Sequence, residues 1–250
     1  MKTFKENLSE NKPLYGIILT VASPEIAEIT AAAGFDWLFI DLEHSPMSVG
    51  DAQMLMQAVA GKVHCVVRIP DGGEVWIKKC LDCGADGIIV PQVKSAAAAE
   101  DVVRFSLYPP RGERSVGVGR AHGYGPMFQE YVANANDSVA IIIQAEHIDA
   151  VREIDSIVRV PGIDAVFIGP YDLSASLGKI GQVHDPEVVN AIETVEKACK
   201  STAVPLGIFG MTPDAVRPYK ARGFRLLVAG IDTVVFGTVA GNLAADLKRL

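Results

Sequence analysis

Two acidic residues each stand just past a short, wholly apolar run: Glu146 after Val139-Ala-Ile-Ile-Ile-Gln-Ala, and Asp172 after Ala165-Val-Phe-Ile-Gly-Pro-Tyr. A carboxylate at the end of a buried strand is poorly solvated and needs a cation or hydrogen-bond donors. On neighbouring strands the two would repel each other unless something positive lay between them. Two carboxylates with positions left open for water and substrate oxygens suit a hard divalent cation such as Mg²⁺ or Mn²⁺. The competing reading makes them structural partners of Arg68 or Arg114. His147 follows Glu146, but on an extended chain it does not share the face of Gln144 and Glu146, so it reads as a helix start.

Other polar groups gather at the ends of similar runs: Asp41-Leu-Glu43-His44, Arg68-Ile-Pro70, Pro91-Gln92 and Gln144-Ala-Glu146. Arg68 offers a planar, permanently charged fork able to stabilise a developing oxyanion; alternatively it forms a salt bridge with Glu43 or Asp41. A free histidine side chain changes charge near neutrality, so His44 suits proton transfer, or it is a histidine simply hydrogen-bonded at a strand end. Asp172-Leu-Ser-Ala-Ser-Leu-Gly reads as the start of a short helix whose free N–H groups would receive a carboxylate or phosphate. No lysine lies in or just after the fifth to seventh runs, which leaves a Schiff-base mechanism without a nucleophile.

What must position these residues is a repeated unit. Apolar runs occur at Tyr15–Thr20, Trp37–Ile40, Cys65–Val67, Gly87–Val90, Val139–Ile143, Ala165–Ile168, Leu206–Phe209 and Phe224–Val228. Their continuous apolarity suits strands of a parallel sheet buried on both faces. Helical segments lie between them; Ser23-Pro-Glu-Ile-Ala-Glu carries a cap with Pro in the first turn, and Gly34, Gly84 and Gly223 stop helices just before a strand. Eight strand–helix repeats in 250 residues predict an α/β fold, a single-domain (β/α)8 TIM barrel over residues 1–250. Sites in such barrels form at the carboxyl ends of the strands, and the polar ends fall on strands 2 to 6, one side of the mouth. The long Tyr108–Gly125 and Tyr171–Asp185 intervals are candidate functional loops.

Bulk properties exclude several classes. Lys and Arg number 23 against 30 Asp and Glu, net −7, with no basic cluster for nucleic acid or anionic membrane. The amino terminus has no apolar signal segment, and no run could span a bilayer. Gly117-Val-Gly119 follows no strand and lacks a third glycine, so nucleotide binding is not expected. Cys80 and Cys83 have redox spacing but sit in a helical segment without a second pair; the four cysteines read as reduced thiols of a cytoplasmic protein.

The motifs Phe39-Ile-Asp-Leu-Glu-His-Ser-Pro, Val66-Val-Arg-Ile-Pro, Gly87-Ile-Ile-Val-Pro-Gln-Val, Tyr108-Pro-Pro-Arg-Gly, Gln144-Ala-Glu and Gly169-Pro-Tyr-Asp-Leu-Ser-Ala-Ser-Leu-Gly, in this order, resemble the HpcH/HpaI family of metal-dependent (class II) pyruvate aldolases, which includes 4-hydroxy-2-oxoheptanedioate and 2-dehydro-3-deoxyglucarate aldolases. The resemblance runs from the first strand to Gly230-Ile-Asp-Thr. It implies reversible cleavage of 4-hydroxy-2-oxo acids to pyruvate and an aldehyde through a metal-stabilised pyruvate enolate. It further implies a divalent cation (Mg, Mn or Co) on Glu146 and Asp172, with substrate held by Gln144 and by the backbone of Tyr171 and Asp172. Arg68 would stabilise the enolate and His44 transfer a proton, its basicity raised by Asp82. Asp82, however, ends a helix, which places it by the opposite rim of its own barrel; Asp41 or Glu43 would be nearer to His44. A homo-oligomer, a hexamer, is implied, with the last helix (about 232–248) exchanged between subunits. Against the family pattern, Ala145 and His147 replace an isoleucine and a threonine, and Tyr171 replaces an alanine. That tyrosine is similar to macrophomate synthase, which makes oxaloacetate decarboxylation to an enolate the alternative chemistry. A third possibility is a barrel that binds a 2-oxo acid without turnover.

Overall fold

A computed structural model describes residues 2–250. Eight parallel strands close into a barrel in sequence order: β1 (Leu14–Leu19), β2 (Trp37–Asp41), β3 (His64–Arg68), β4 (Gly87–Val90), β5 (Ala140–Ala145), β6 (Ala165–Ile168), β7 (Leu206–Gly210) and β8 (Leu226–Ile231). The helices are α1 (Phe4–Ser9), α2 (Pro24–Ala32), α3 (Val49–Ala58), α4 (Glu74–Asp82), α5 (Ala96–Ser106), α6 (Phe128–Ser138), α7 (Ile148–Arg152), α8 (Ile154–Ile157), α9 (Pro170–Ser176), α10 (Pro186–Thr202), α11 (Pro213–Ala221) and α12 (Asp232–Leu247). The single-domain TIM barrel expected from the sequence is therefore the fold. Each apolar run became a strand, shifted by at most three residues at either end.

Two apolar layers explain why the runs are continuous. Every second residue faces the barrel axis, where Ile18, Phe39, Val66, Ile89, Ile142, Phe167 and Val228 pack into one cluster. The alternate residues, such as Ile17, Ile40, Val67, Ile88 and Ile143, meet the helices. A strand covered on both faces has no position for a polar side chain until it emerges at a rim. The amino-terminal rim is plugged by α1, whose Phe4 and Leu8 join the inner cluster against Trp37. The opposite rim stays open.

Helix stops follow backbone chemistry. Gly34, Gly84 and Gly223 adopt φ of +93°, +86° and +89° at the turns that end α2, α4 and α11, a conformation open to glycine at little cost. The Tyr108–Gly125 interval is an ordered arm. Arg114, fully buried, donates to Asp82 (2.7 Å) and Tyr131 (3.3 Å) and lies over the Tyr108 ring. Cys80 and Cys83 lie in and just after α4, and burial pushes the Cys80 thiol up to about 12, unsuited to redox exchange at neutral pH. Among the described residues, no helix is long and apolar enough to cross a membrane.

The last helix departs from the usual plan. In a (β/α)8 barrel the eighth helix returns over the strands that close the ring. Here α12 leaves Phe236, Val239, Leu243 and Leu247 exposed. An apolar groove of about 280 Å³ between α2 and α11, walled by Tyr15, Phe35, Val216 and Leu227, remains open over β1 and β8.

Candidate active site

A cavity of about 290 Å³ opens at the carboxyl ends of the strands. Asp41, His44, Arg68, Gln144 and Asp172 line one side of it. The polar strand ends thus converge as their order along the chain suggested. Ile18, Phe209, Met211 and Ile231, from β1, β7, β8 and the β7–α11 turn, form the other side.

The β2 and β3 ends build a charged fork. Arg68 donates through Nε to Asp41 Oδ1 (2.9 Å) and through Nη2 to Asp41 Oδ2 (2.6 Å), a bidentate pair that aims the guanidinium and leaves its remaining N–H groups free. The Phe39 ring supports it from below, 5.2 Å from the guanidinium carbon. Asp41 also accepts the backbone N–H groups of Glu43 (3.0 Å) and His44 (3.3 Å), which fixes the turn that presents the histidine. His44 is well exposed on the cavity rim, its Nε2 3.7 Å from Glu43 Oε2.

The β5 end holds its carboxylate rigidly. Glu146 is only 1% exposed; Oε1 accepts from the backbone N–H of Gln92 (2.8 Å) and from Gln92 Nε2 (2.9 Å), and Oε2 accepts from Gln144 Nε2. Gln92 makes the double contact from a φ of +55°, a costly conformation for a residue with a side chain. Gly169 permits the close approach of β6: a Cβ there would stand 3.0 Å from both Gln144 Nε2 and Glu146 Oε2. Asp172 sits in the first turn of α9, which starts at Pro170.

Electrostatics marks the same spot. Burial pushes Glu146 up to about 7 against the pull of the Gln92 N–H, and the charges of Glu43 and Asp172 add to the rise. Glu43 is also pushed up to about 7 by burial, with Asp41 and Asp172 adding to it and Arg68 opposing. Two acceptor atoms are buried without a hydrogen-bond donor: Gln144 Oε1 and Glu43 Oε2, the latter 3.3 Å from Arg68 Nε but outside hydrogen-bond geometry.

Among the described residues, no three His, Cys, Asp or Glu side chains converge as a ready-made metal cage. The set that is present, Asp172 at the cavity, Glu146 buried just behind Gln144 and the orphaned Gln144 oxygen beside it, nevertheless suits a cation held by one or two carboxylates and completed by water and substrate. His147 is not part of it. It caps α7, accepting from the Asp149 N–H (3.1 Å).

One expected residue lies elsewhere. Asp82 ends α4 at the amino-terminal side of β4, and its carboxylate is engaged by Arg114 (2.7 Å), away from the cavity that His44 lines. The carboxyl end of a barrel helix precedes its strand and so occupies the opposite rim; within one chain, Glu43 and Asp41 are the acids beside His44. Sequence reasoning also missed Gln92 and Gly169 as supports, and Asp232, whose carboxylate accepts from the N–H groups of Thr20 (2.8 Å), Val21 (3.0 Å) and Thr233 (2.7 Å) and from Thr20 Oγ1 (2.7 Å), pinning β1 to the start of α12. For Gln92 the available signal was a polar residue directly after the strand-end Pro91.

Known proteins place this architecture. The profile of the family described as HpcH/HpaI aldolase/citrate lyase matches residues 14–238. The chain is 39% identical over 248 residues to a 2-keto-3-deoxy-L-rhamnonate aldolase of Escherichia coli O1:K1 / APEC, covering 98% of this chain and 92% of that one. It is 37% identical to a hydroxypyruvate/pyruvate aldolase of Roseobacter denitrificans, covering 100% and 98%. Its structure superposes on that of an HpcH/HpaI aldolase/citrate lyase family protein from Burkholderia cenocepacia J2315 with a TM-score of 0.93, at 36% identity and 98% coverage of both chains.

Proposed function

The chain belongs to the HpcH/HpaI aldolase/citrate lyase family and is an aldolase, an enzyme that cleaves carbon–carbon bonds, and from that premise we propose the roles of its residues and its substrate class. The substrates are 4-hydroxy-2-oxo acids, cleaved reversibly to pyruvate and an aldehyde. The observation that carries the reading is a buried Glu146, its carboxyl pushed up by burial and further by the Asp172 charge, held just behind Gln144 at the cavity that Asp172 and the bidentate Arg68 line.

Glu146 and Asp172, with the orphaned Gln144 Oε1 beside them, are the residues that would hold a divalent cation, Mg²⁺, Mn²⁺ or Co²⁺. Such an ion supplies Lewis-acid polarisation of a 2-oxo group. The N–H groups of Tyr171 and Asp172, in the unpaired first turn of α9, receive the substrate carboxylate. His44 takes the proton of the 4-hydroxyl, directly or through one water. The electrons of the breaking C3–C4 bond then pass toward C2, and the 2-oxo oxygen gains negative charge. The free N–H groups of Arg68 donate to that oxygen, held in place by Asp41. Glu43 stabilises the protonated imidazole from 3.7 Å. Return of a proton to C3 completes pyruvate.

The test needs no knowledge of the aldehyde. Pyruvate alone in deuterium oxide, followed by proton NMR, should lose its C3 protons in the presence of Mg²⁺ or Mn²⁺ and keep them after chelation. Retention of those protons with every divalent cation tried would overturn the enolate reading.

The exposed apolar stripe of α12 and the open groove over β1 and β8 support a homo-oligomer, with α12 of one subunit seated on the barrel of another. Phe236→Asp with Leu243→Asp should reduce the mass measured by light scattering to that of a smaller assembly, ending at the 26.7 kDa chain. An unchanged mass would place the contact elsewhere.

A further inference from the structure

The cavity is divided by chemistry. The groups that manage charge, Arg68, Gln144 and Asp172, stand together, and the rest of the lining is largely apolar: Ile18, Phe209 and Met211, with Thr20 giving its hydroxyl to Asp232. If pyruvate enolate occupies the charged half, the aldehyde must bring its carbonyl carbon to within about 3–3.5 Å of the enolate carbon, and its substituent can only extend along the apolar wall. That wall ends in an aromatic partition. Phe209 of β7 lies against Tyr171, ring centroids 6.0 Å apart and tilted by 53°. Beside the partition is a second pocket of about 80 Å³, partly open to solvent, which shares Pro170, Tyr171 and Phe209 with the main cavity and is lined on its other side by Val183, His184 and Tyr219. At ~30 Å³ for each water-sized group, this pocket has room for two to three such groups.

From this arrangement we infer that Phe209, braced by Tyr171, closes the acceptor side of the cavity and sets the length of the aldehyde substituent the enzyme accepts. The inference rests on the pyruvate-aldolase reading above. Wild-type enzyme accepts short aldehydes and loses efficiency as the chain lengthens, because additional methylenes meet the two rings. Truncating Phe209 joins the second pocket to the cavity and gives those methylenes an apolar place to lie. Phe209 is apolar and meets Tyr171 through its ring rather than through the backbone N–H assigned to the carboxylate, so enolate formation should persist when it is shortened.

The experiment measures kcat/KM for pyruvate addition to acetaldehyde, propanal, butanal and hexanal, alongside pyruvate proton exchange, in wild type, Phe209→Ala and Phe209→Leu. Burial of each extra methylene is worth about fourfold, so Phe209→Ala should raise the butanal-to-acetaldehyde ratio by ~15-fold. Phe209→Leu, which keeps more of the packing, should move it in the same direction by less. Adding Val183→Phe to Phe209→Ala refills the second pocket and should return the ratio toward wild type. An unmoved length profile in variants that still exchange pyruvate protons would overturn the inference. So would loss of exchange in both the Ala and Leu variants, since Phe209 would then belong to the enolate half. Absence of exchange in wild type is a different result: it removes the enolate reading itself.

Discussion

Glu146→Ala will stop the cation-dependent exchange of pyruvate C3 protons while leaving the barrel folded. A Lewis-acidic ion contributes several kcal/mol to enolate formation, and at ~1.4 kcal/mol per tenfold its loss corresponds to a fall of about 10³-fold or more. The fold should survive because Glu146 contributes no favourable buried charge without a cation. Its carboxyl, pushed up to about 7 by burial and by Glu43 and Asp172, is more comfortable protonated than ionised in the folded chain. A raised carboxyl pKa means that folded-state stability falls as pH rises from the ordinary carboxylate value through about 7. Glu146→Gln, which keeps the shape and an acceptor for Gln92, should therefore melt at or above the wild-type temperature at pH 8 without added metal. Added Mg²⁺ or Mn²⁺ should raise the melting temperature of wild type only, since an ion that binds the native state stabilises it by mass action. Wild-type exchange rates in the alanine variant would remove Glu146 from the site. An equal metal-induced thermal shift in both proteins would place the ion elsewhere.

Much of this site was legible in the sequence because a barrel strand confines polar residues to its ends. Once the eight apolar runs were found, Arg68, Gln144, Glu146 and Asp172 could be assigned to one rim, and the cavity now brings Arg68, Gln144 and Asp172 together with Glu146 just behind Gln144. What the sequence concealed were relations set by closure of the ring. The sequence offered an Arg68 salt bridge with Glu43 or Asp41; that Asp41 holds it, through both oxygens, depends on the β2–β3 register, in which Asp41 stands beside Arg68. Gln92 reaches Glu146 only because β4 lies beside β5 and the chain turns through a positive φ after Pro91. Gly169 reads as an ordinary turn residue until the Gln144 and Glu146 side chains are seen against it. Asp82 is the reverse case: a family motif pointed to His44, yet the strand–helix alternation already put the end of α4 at the other rim, and the Arg114 pair agrees with the topology. Exchange of α12 between subunits came only from the family resemblance, since a stripe of apolar residues does not itself say which barrel it covers.

Arg68→Ala should lower kcat by about 10²–10³-fold, the ~2.7–4 kcal/mol that an oriented donor contributes at a developing oxyanion, and should change metal affinity little. The complication is structural. Arg68 and Asp41 are both buried, and removing one partner leaves an uncompensated charge that costs ~3–5 kcal/mol of stability. The single substitution therefore mixes a catalytic loss with a folding loss. The double variant Arg68→Met, Asp41→Asn separates them: it removes both charges, fills the space over Phe39, and leaves the Asn oxygen able to accept from the Glu43 and His44 N–H groups as Asp41 Oδ1 now does. It should recover most of the melting temperature and none of kcat. Arg68→Lys keeps a positive charge but not the two-point grip on Asp41, and should fall between, because a flexible ammonium is a poorer fixed donor than a clamped guanidinium. If the double variant instead regained kcat along with stability, Arg68 would be a structural counter-ion, and the oxyanion would have to be stabilised by the cation alone.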